Sequence, residues 1–268
     1  MFNFANFSHG DLITLSSYIS TILIIDFKFG LIYAILTSLI LTALIGVLSY
    51  FSVYRPLIKR KAKPLYLMTA SFAMLFIYKY ITYIIVYGID KSLLQAVALS
   101  PMVYTFVFGM PITDVLIYMV LLSILTFIIL WVILNHTRLG IEMRAIADNK
   151  ELALAIGIRT TVVEAITWLV IGITAGLASI EFLYLGLNIE LGTYEIIPLF
   201  AVTILSGMRD LKKLLISAII IGFVEKFVMN FLITTFNISQ YYELLIPLIF
   251  IIIVLIFLPS GLERVKIK

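Results

Sequence analysis

From Leu31 to Val53 the chain carries no charged residue. A run of that length is far longer than the apolar stretches of soluble domains. Wound into a helix, it matches the roughly 30 Å hydrocarbon thickness of a bilayer, which about 20 residues can cross. Lipid offers no water to satisfy backbone N–H and C=O groups, so such a segment has to be helical or part of a closed barrel. Comparable runs recur at Ile13–Ile25, Leu65–Tyr87, Ile112–Leu134, Thr161–Tyr184, Thr193–Met208, Leu214–Leu232 and Tyr242–Leu258. With 63% hydrophobic residues in 268 and a mean hydropathy of +1.16, little chain is left for a soluble domain. The expected fold is an all-α polytopic transmembrane bundle of about eight spans, forming one membrane domain over residues 1–268.

Charge orients the bundle. The basic loop YRPLIKRKAKP, with Arg55, Lys59, Arg60, Lys61 and Lys63, follows the second span, and short loops rich in Lys and Arg are retained in the cytoplasm. The same rule places Arg209, Lys212, Lys213 and the terminal ERVKIK inside, giving eight crossings with both termini cytoplasmic. It also keeps Ser92–Phe108, an apolar stretch broken by Pro101, at the external face as an interfacial or re-entrant segment. The short Thr193–Met208 run with Pro198 inside it is expected to begin within a cavity. The formal charge of +4 therefore reports orientation and contact with lipid headgroups, not nucleic-acid binding.

Between the runs ending at Leu134 and beginning at Thr161 lies the polar stretch RLGIEMRAIADNKELALAIGIRT, Arg138 to Thr160. Asp148 is expected to cap a short helix with Glu151 in a capping-box-like arrangement, and Gly157 to end it in a left-handed conformation. Leu152, Ala155 and Ile156 then share one face, too small for a core but suited to a partner's groove. Lys150 is taken as a solvated charge, so Lys150→Gln is expected to be nearly silent. The alternative for the whole stretch is an ordinary basic loop.

Other polar residues sit within apolar runs. Lys79 lies near the middle of its span among Tyr78, Tyr80 and Tyr83, and is expected to snorkel, to make a packed interhelical contact or to touch solute. Glu181, Glu190 and Glu195 cluster at the external end of the Thr161–Tyr184 span, and Glu225 and Lys226 lie within Leu214–Leu232. Gly172, Ala175, Gly176, Ala178 and Ser179 provide a small-residue surface for close helix packing.

There is no GxxxxGK[ST] phosphate loop, no GxSxG elbow and no cysteine, and His9 and His136 are the only histidines. Covalent catalysis, a thiolate metal site and nucleotide hydrolysis by a phosphate loop have no support. His136, beside Asn135 and Thr137, reads as an interface residue. Any energy-converting domain belongs to another chain.

Four segments then resemble, in order, the permease subunits of branched-chain amino-acid ABC transporters: NFSHGDLITLSSYIS, YRPLIKRKAKPL, TRLGIEMRAIADNKELALAIGI and FLPSGL. The resemblance runs over essentially the whole chain. It implies an ATP-driven importer subunit of a prokaryotic plasma membrane, with branched-chain or other apolar amino acids as solutes. Its implied partners are a second permease subunit, two ATPase subunits carrying ATP and Mg²⁺, an extracytoplasmic solute-binding protein and membrane lipid; this chain binds no cofactor and no nucleic acid. Arg144, Ala145, Asp148, Ala153, Gly157 and Ile158 carry over as ATPase-coupling residues, and Asn6, His9 and Gly10 as a segment near the translocation path, with a helix-starting role as their alternative. Glu225 joins the path residues as a polar group within a span. An ABC permease for another solute such as a sugar, or an ion-coupled secondary transporter using Lys79 and Glu225, are the competing functions.

The chain departs from that family twice. Members usually have a further hydrophobic helix before the histidine-glycine segment, so either the start is misplaced or the architecture is reduced; where an upstream in-frame coding sequence exists, it is expected to add one apolar helix and improve assembly. Where the family tends to carry a GGxGSxxGA turn, this chain reads SGMRDLKKLLISA and keeps only Gly207 of its glycines.

Overall fold

A computed structural model describes residues 4–95, 102–107, 110–207, 210–239 and 242–257. They form an all-α membrane bundle with one small β-hairpin. Five helices are long and apolar enough to cross a bilayer: Leu31–Lys59, Pro64–Ile89, Asp114–His136, Thr160–Leu185 and Leu211–Phe236. Three shorter apolar helices, His9–Ile25, Leu191–Ser206 and Leu245–Phe257, accompany them. At ~1.5 Å per residue the longest reaches about 44 Å and the shortest about 20 Å. Over its described residues, each of the eight apolar runs overlaps one of these helices. Met208, Arg209, Pro101, the LPSGL of FLPSGL and ERVKIK lie outside the described residues.

The chain divides into two compact units, Met1–Gly192 and Thr193–Lys268. In the first, helix α1 (His9–Ile25) is enclosed by α2 (Leu31–Ser49), α4 (Pro64–Ile89) and α8 (Thr160–Ala178). The apolar run read from the sequence starts at Ile13, after twelve residues polar enough to interrupt a span. The structure starts the helix at His9, because Gly10 and Asp11 are covered by protein and not by lipid. Two of its buried hydroxyls are satisfied locally: Thr14 Oγ1 donates to the Gly10 carbonyl at 3.3 Å and Ser17 Oγ to that of Thr14 at 2.7 Å, offsetting the cost of burying a polar group.

Helices α2 and α8 meet along the small-residue surface read from the sequence. A Cβ on Gly172 would lie 2.6 Å from the Cα of Ala43, and one on Gly46 would lie 2.7 Å from the Trp168 carbonyl oxygen. In lipid this close approach supplies the dispersion contacts that replace a hydrophobic driving force. Beyond Ser49, α2 widens into a π-helical turn, Tyr50–Tyr54, before α3 (Arg55–Lys59) carries the basic loop. Tyr50 and Tyr54 are both fully buried.

The described residues of the Ser92–Phe108 segment, 92–95 and 102–107, form no α-helix. A 3₁₀ turn, Lys91–Gln95, precedes strand β1 (Val103–Val107), which pairs antiparallel with β2 (Met110–Thr113). The sequence VYTFV is rich in β-branched and aromatic residues, which suit a pleated surface. Asp114 opens α5 (Asp114–His136) and fastens the hairpin to it: the Met102 amide donates to Asp114 Oδ1 at 2.8 Å, and the Asp114 amide to the Met102 carbonyl at 3.0 Å. Before the 3₁₀ turn, the Ser92 hydroxyl and amide both donate to the Asp90 carboxylate, at 2.6 and 2.8 Å, and hold its pKa below the usual carboxylate range.

After the short α9 (Phe182–Leu185), the second unit packs Ala201 and Leu205 of α10 (Leu191–Ser206) with Ile221 of α11 (Leu211–Phe236) and Val254 of α12 (Leu245–Phe257). Helix α10 begins at Leu191 and runs through Pro198.

Candidate functional site

The polar stretch between α5 and α8 folds into two short helices, α6 (Arg138–Asp148) and α7 (Lys150–Ala155), instead of one. Thr137 makes the corner, accepting from the Gly140 amide at 3.2 Å and donating to the Ile133 carbonyl at 2.5 Å. A Cβ on Gly140 would reach that same carbonyl at 2.5 Å, so the glycine permits the sharp turn. The Arg144 guanidinium donates to the Leu134 carbonyl, placing a cation on the last carbonyls of α5 where the helix dipole favours it. Met143 and Ile146 of α6, Ala153 of α7 and Val163 of α8 form a small buried cluster, with Ala145 and Ile158 packed against it.

Asp148 is not the cap expected from the sequence. It is the exposed last residue of α6, and the cap of α7 is Asn149, whose Oδ1 accepts from the Leu152 amide at 3.0 Å. Because Asp148 keeps helical geometry, its carboxyl cannot serve a helix that begins one residue later. Glu151 then falls second in α7, and no capping box forms. Asn149→Ala should therefore cost α7 about 1 kcal/mol, while Asp148→Ala should cost little. Faster hydrogen exchange at Leu152 in the first variant alone checks this.

The other end follows the expectation. Gly157 has φ +89°. Its amide donates to the Leu154 carbonyl and that of Ile158 to the Ala153 carbonyl, each at 3.0 Å, the paired bonds of a Schellman motif. Leu152, Ala155 and Ile156 are all exposed on α7, Leu152 at 60% and Ile156 at 68%.

One contact went unread in the sequence. Glu164, in the first turns of α8, is 4% exposed and forms an ion pair with Lys150 of α7. It also accepts a 2.6 Å hydrogen bond from the Tyr50 hydroxyl. Lys150 is thus not the solvated charge the sequence implied. The available signal was a carboxylate set inside an apolar run, preceded by a polar stretch with a lysine to spare.

The remaining candidates are on other elements. Asn6 Oδ1 accepts from the Ser8 amide at 3.2 Å and its hydroxyl at 2.8 Å, organising the start of α1. His9 is half-buried at that start, and Gly10 lies against the backbone of Gly192, whose Cα would be 3.1 Å from a Cβ at position 10. Lys79 neither snorkels nor stands alone: it is 9% exposed and pairs at 2.5 Å with Glu190, which lies in the turn before Leu191 and not on a neighbouring helix. Asp11 is fully buried, has no hydrogen-bond partner among the described residues, and feels Lys79 and Glu190 electrostatically. Glu225 is likewise not unpaired, with Lys226 Nζ 3.8 Å away and that lysine bonded to Glu243 at 2.5 Å. Among the described residues no three His, Asp or Glu side chains gather to hold a metal ion.

Helix α6 thus turns across the end of α5 and is followed by a capped α7 that carries exposed apolar side chains. The profile of the family described as "Branched-chain amino acid transport system / permease component" matches residues 1–255. A protein of Methanocaldococcus jannaschii named "Probable branched-chain amino acid transport permease protein LivH" is 27% identical, over 99% of this chain and 85% of that protein. No solved structure matches. The chain is thus a multi-pass membrane protein that works with other transporter subunits, and it belongs to the family of permease components of branched-chain amino-acid transport systems.

Proposed function

We propose that this chain is one of two permease subunits enclosing the path of an ATP-driven importer in a prokaryotic plasma membrane, and that it passes branched-chain or other apolar amino acids by alternating access. All eight apolar helices cross in this reading, with both termini cytoplasmic. Two ATPase subunits bind ATP and Mg²⁺ and dock on α6 and α7, and an extracytoplasmic binding protein delivers the solute. Arg144, Ala145, Asp148, Ala153, Gly157 and Ile158 build the docking platform, and Asn6, His9, Gly10 and Glu225 remain the path residues. The observation that supports the reading most is α7 itself: Asn149 and a Schellman motif bound it at both ends, while Leu152 and Ile156 stay exposed. A small apolar face on a stiff, short helix is what a groove on a moving partner needs.

Two measurements test it. Reporter fusions at Lys61 and Lys150 should both report the cytoplasmic side, and an external signal from either breaks the topology. Proteoliposomes holding the complete assembly should accumulate leucine only with ATP and binding protein; uptake by this chain alone, driven by an ion gradient, would overturn the ATP-driven reading.

A further inference from the structure

We propose that Glu164 is a positioning residue that ties α7 to the π-helical turn of α2, so that displacement of α7 is carried to the start of α1. The proposal rests on the reading of α7 as the ATPase-coupling helix.

The contacts are contiguous. Lys150 of α7 pairs with the Glu164 carboxylate, which is 4% exposed against 36% for the lysine. An exposed ion pair of this kind would be worth little. Here one partner is buried, so losing the other leaves a charge uncompensated in a low-dielectric site. The Tyr50 hydroxyl donates to the same carboxylate at 2.6 Å. Tyr50 and Tyr54 are the two ends of the π-turn, a geometry that recurs at functional sites. Tyr54 stacks on Trp168, one turn beyond Glu164 on α8, with ring centroids 4.3 Å apart. Its hydroxyl lies 3.4 Å from Ser8 Oγ, which in turn donates to Asn6 Oδ1. One buried carboxylate therefore joins α7, α8 and the wide turn of α2, and that turn touches the segment that opens α1. Local sequence patterns do not require this arrangement, since Tyr50 and Glu164 are 114 residues apart.

Contiguity alone does not establish transmission, so the test is a double-mutant cycle. Lys150→Gln, Glu164→Gln, the double variant and Lys150→Arg would be reconstituted with ATPase subunits and binding protein. The readouts are leucine taken up per ATP hydrolysed and the ATPase subunit that copurifies. Each single Gln variant should lose about five- to tenfold in uptake per ATP. The double variant should be no worse than either single, Lys150→Arg should retain coupling, and copurification should be unchanged throughout. Tyr50→Phe should fall between wild type and Glu164→Gln. An unaltered ratio in Lys150→Gln, additive losses in the double variant, or loss of copurification in the variants would each overturn the proposal. Should Glu164→Gln fail to insert, Lys150→Gln against Lys150→Arg decides alone. Absence of ATPase subunits from the wild-type preparation would sink the coupling reading itself, a separate result.

Discussion

Gly157→Val should uncouple transport while leaving insertion intact. Gly157 holds φ +89°, and a Cβ built there meets nothing within 4 Å. Space is therefore no obstacle, and the whole penalty is conformational, on the order of 1–2 kcal/mol for forcing an L-residue into the left-handed region. That is enough to break the two bonds that close α7 and to turn its apolar face away from where a partner would meet it. Leucine uptake and stimulation of ATP hydrolysis by the binding protein should fall together, on the order of tenfold. Gly157→Asn, which tolerates positive φ, should stay near wild type. Full coupling in Gly157→Val would remove α7 as a transmission element.

Gly172→Leu should prevent the first unit from packing. The Cβ would meet the Thr42 carbonyl oxygen at 2.5 Å and the Ala43 Cα at 2.6 Å. Both are backbone atoms of α2 and cannot rotate away, so α2 and α8 have to separate. Overpacking of a core typically costs about 1–3 kcal/mol and occasionally more, and here it also strips the contacts that hold helices together in lipid. Folded protein in detergent should fall several-fold, with an earlier thermal transition in what remains. Gly222→Ala is the control: a Cβ there meets nothing within 4 Å, and Ala is the better helix former by about 1 kcal/mol. Equal stability of Gly172→Leu and Gly222→Ala would show that the α2–α8 contact carries no weight.

The apolar runs, the small-residue surface of α8 and the role of Gly157 were legible because each depends on neighbours in sequence: hydrophobic length sets a membrane helix, and a glycine after a short helix sets its end. Asp148 against Asn149 was a near miss, since both are good caps and only the extent of α6 chooses between them. The β-hairpin at Val103–Thr113 was missed because apolar length reads alike for a short strand and a re-entrant segment. Its pairing is fixed by partners and by Asp114. What tertiary structure alone decided is where the polar groups of the membrane helices went. Lys79 found Glu190 at a separation of 111 residues, and Glu164 found Tyr50 at 114. The sequence specifies which buried charges have to be compensated. Which elements come together to compensate them depends on packing between helices that no local period records.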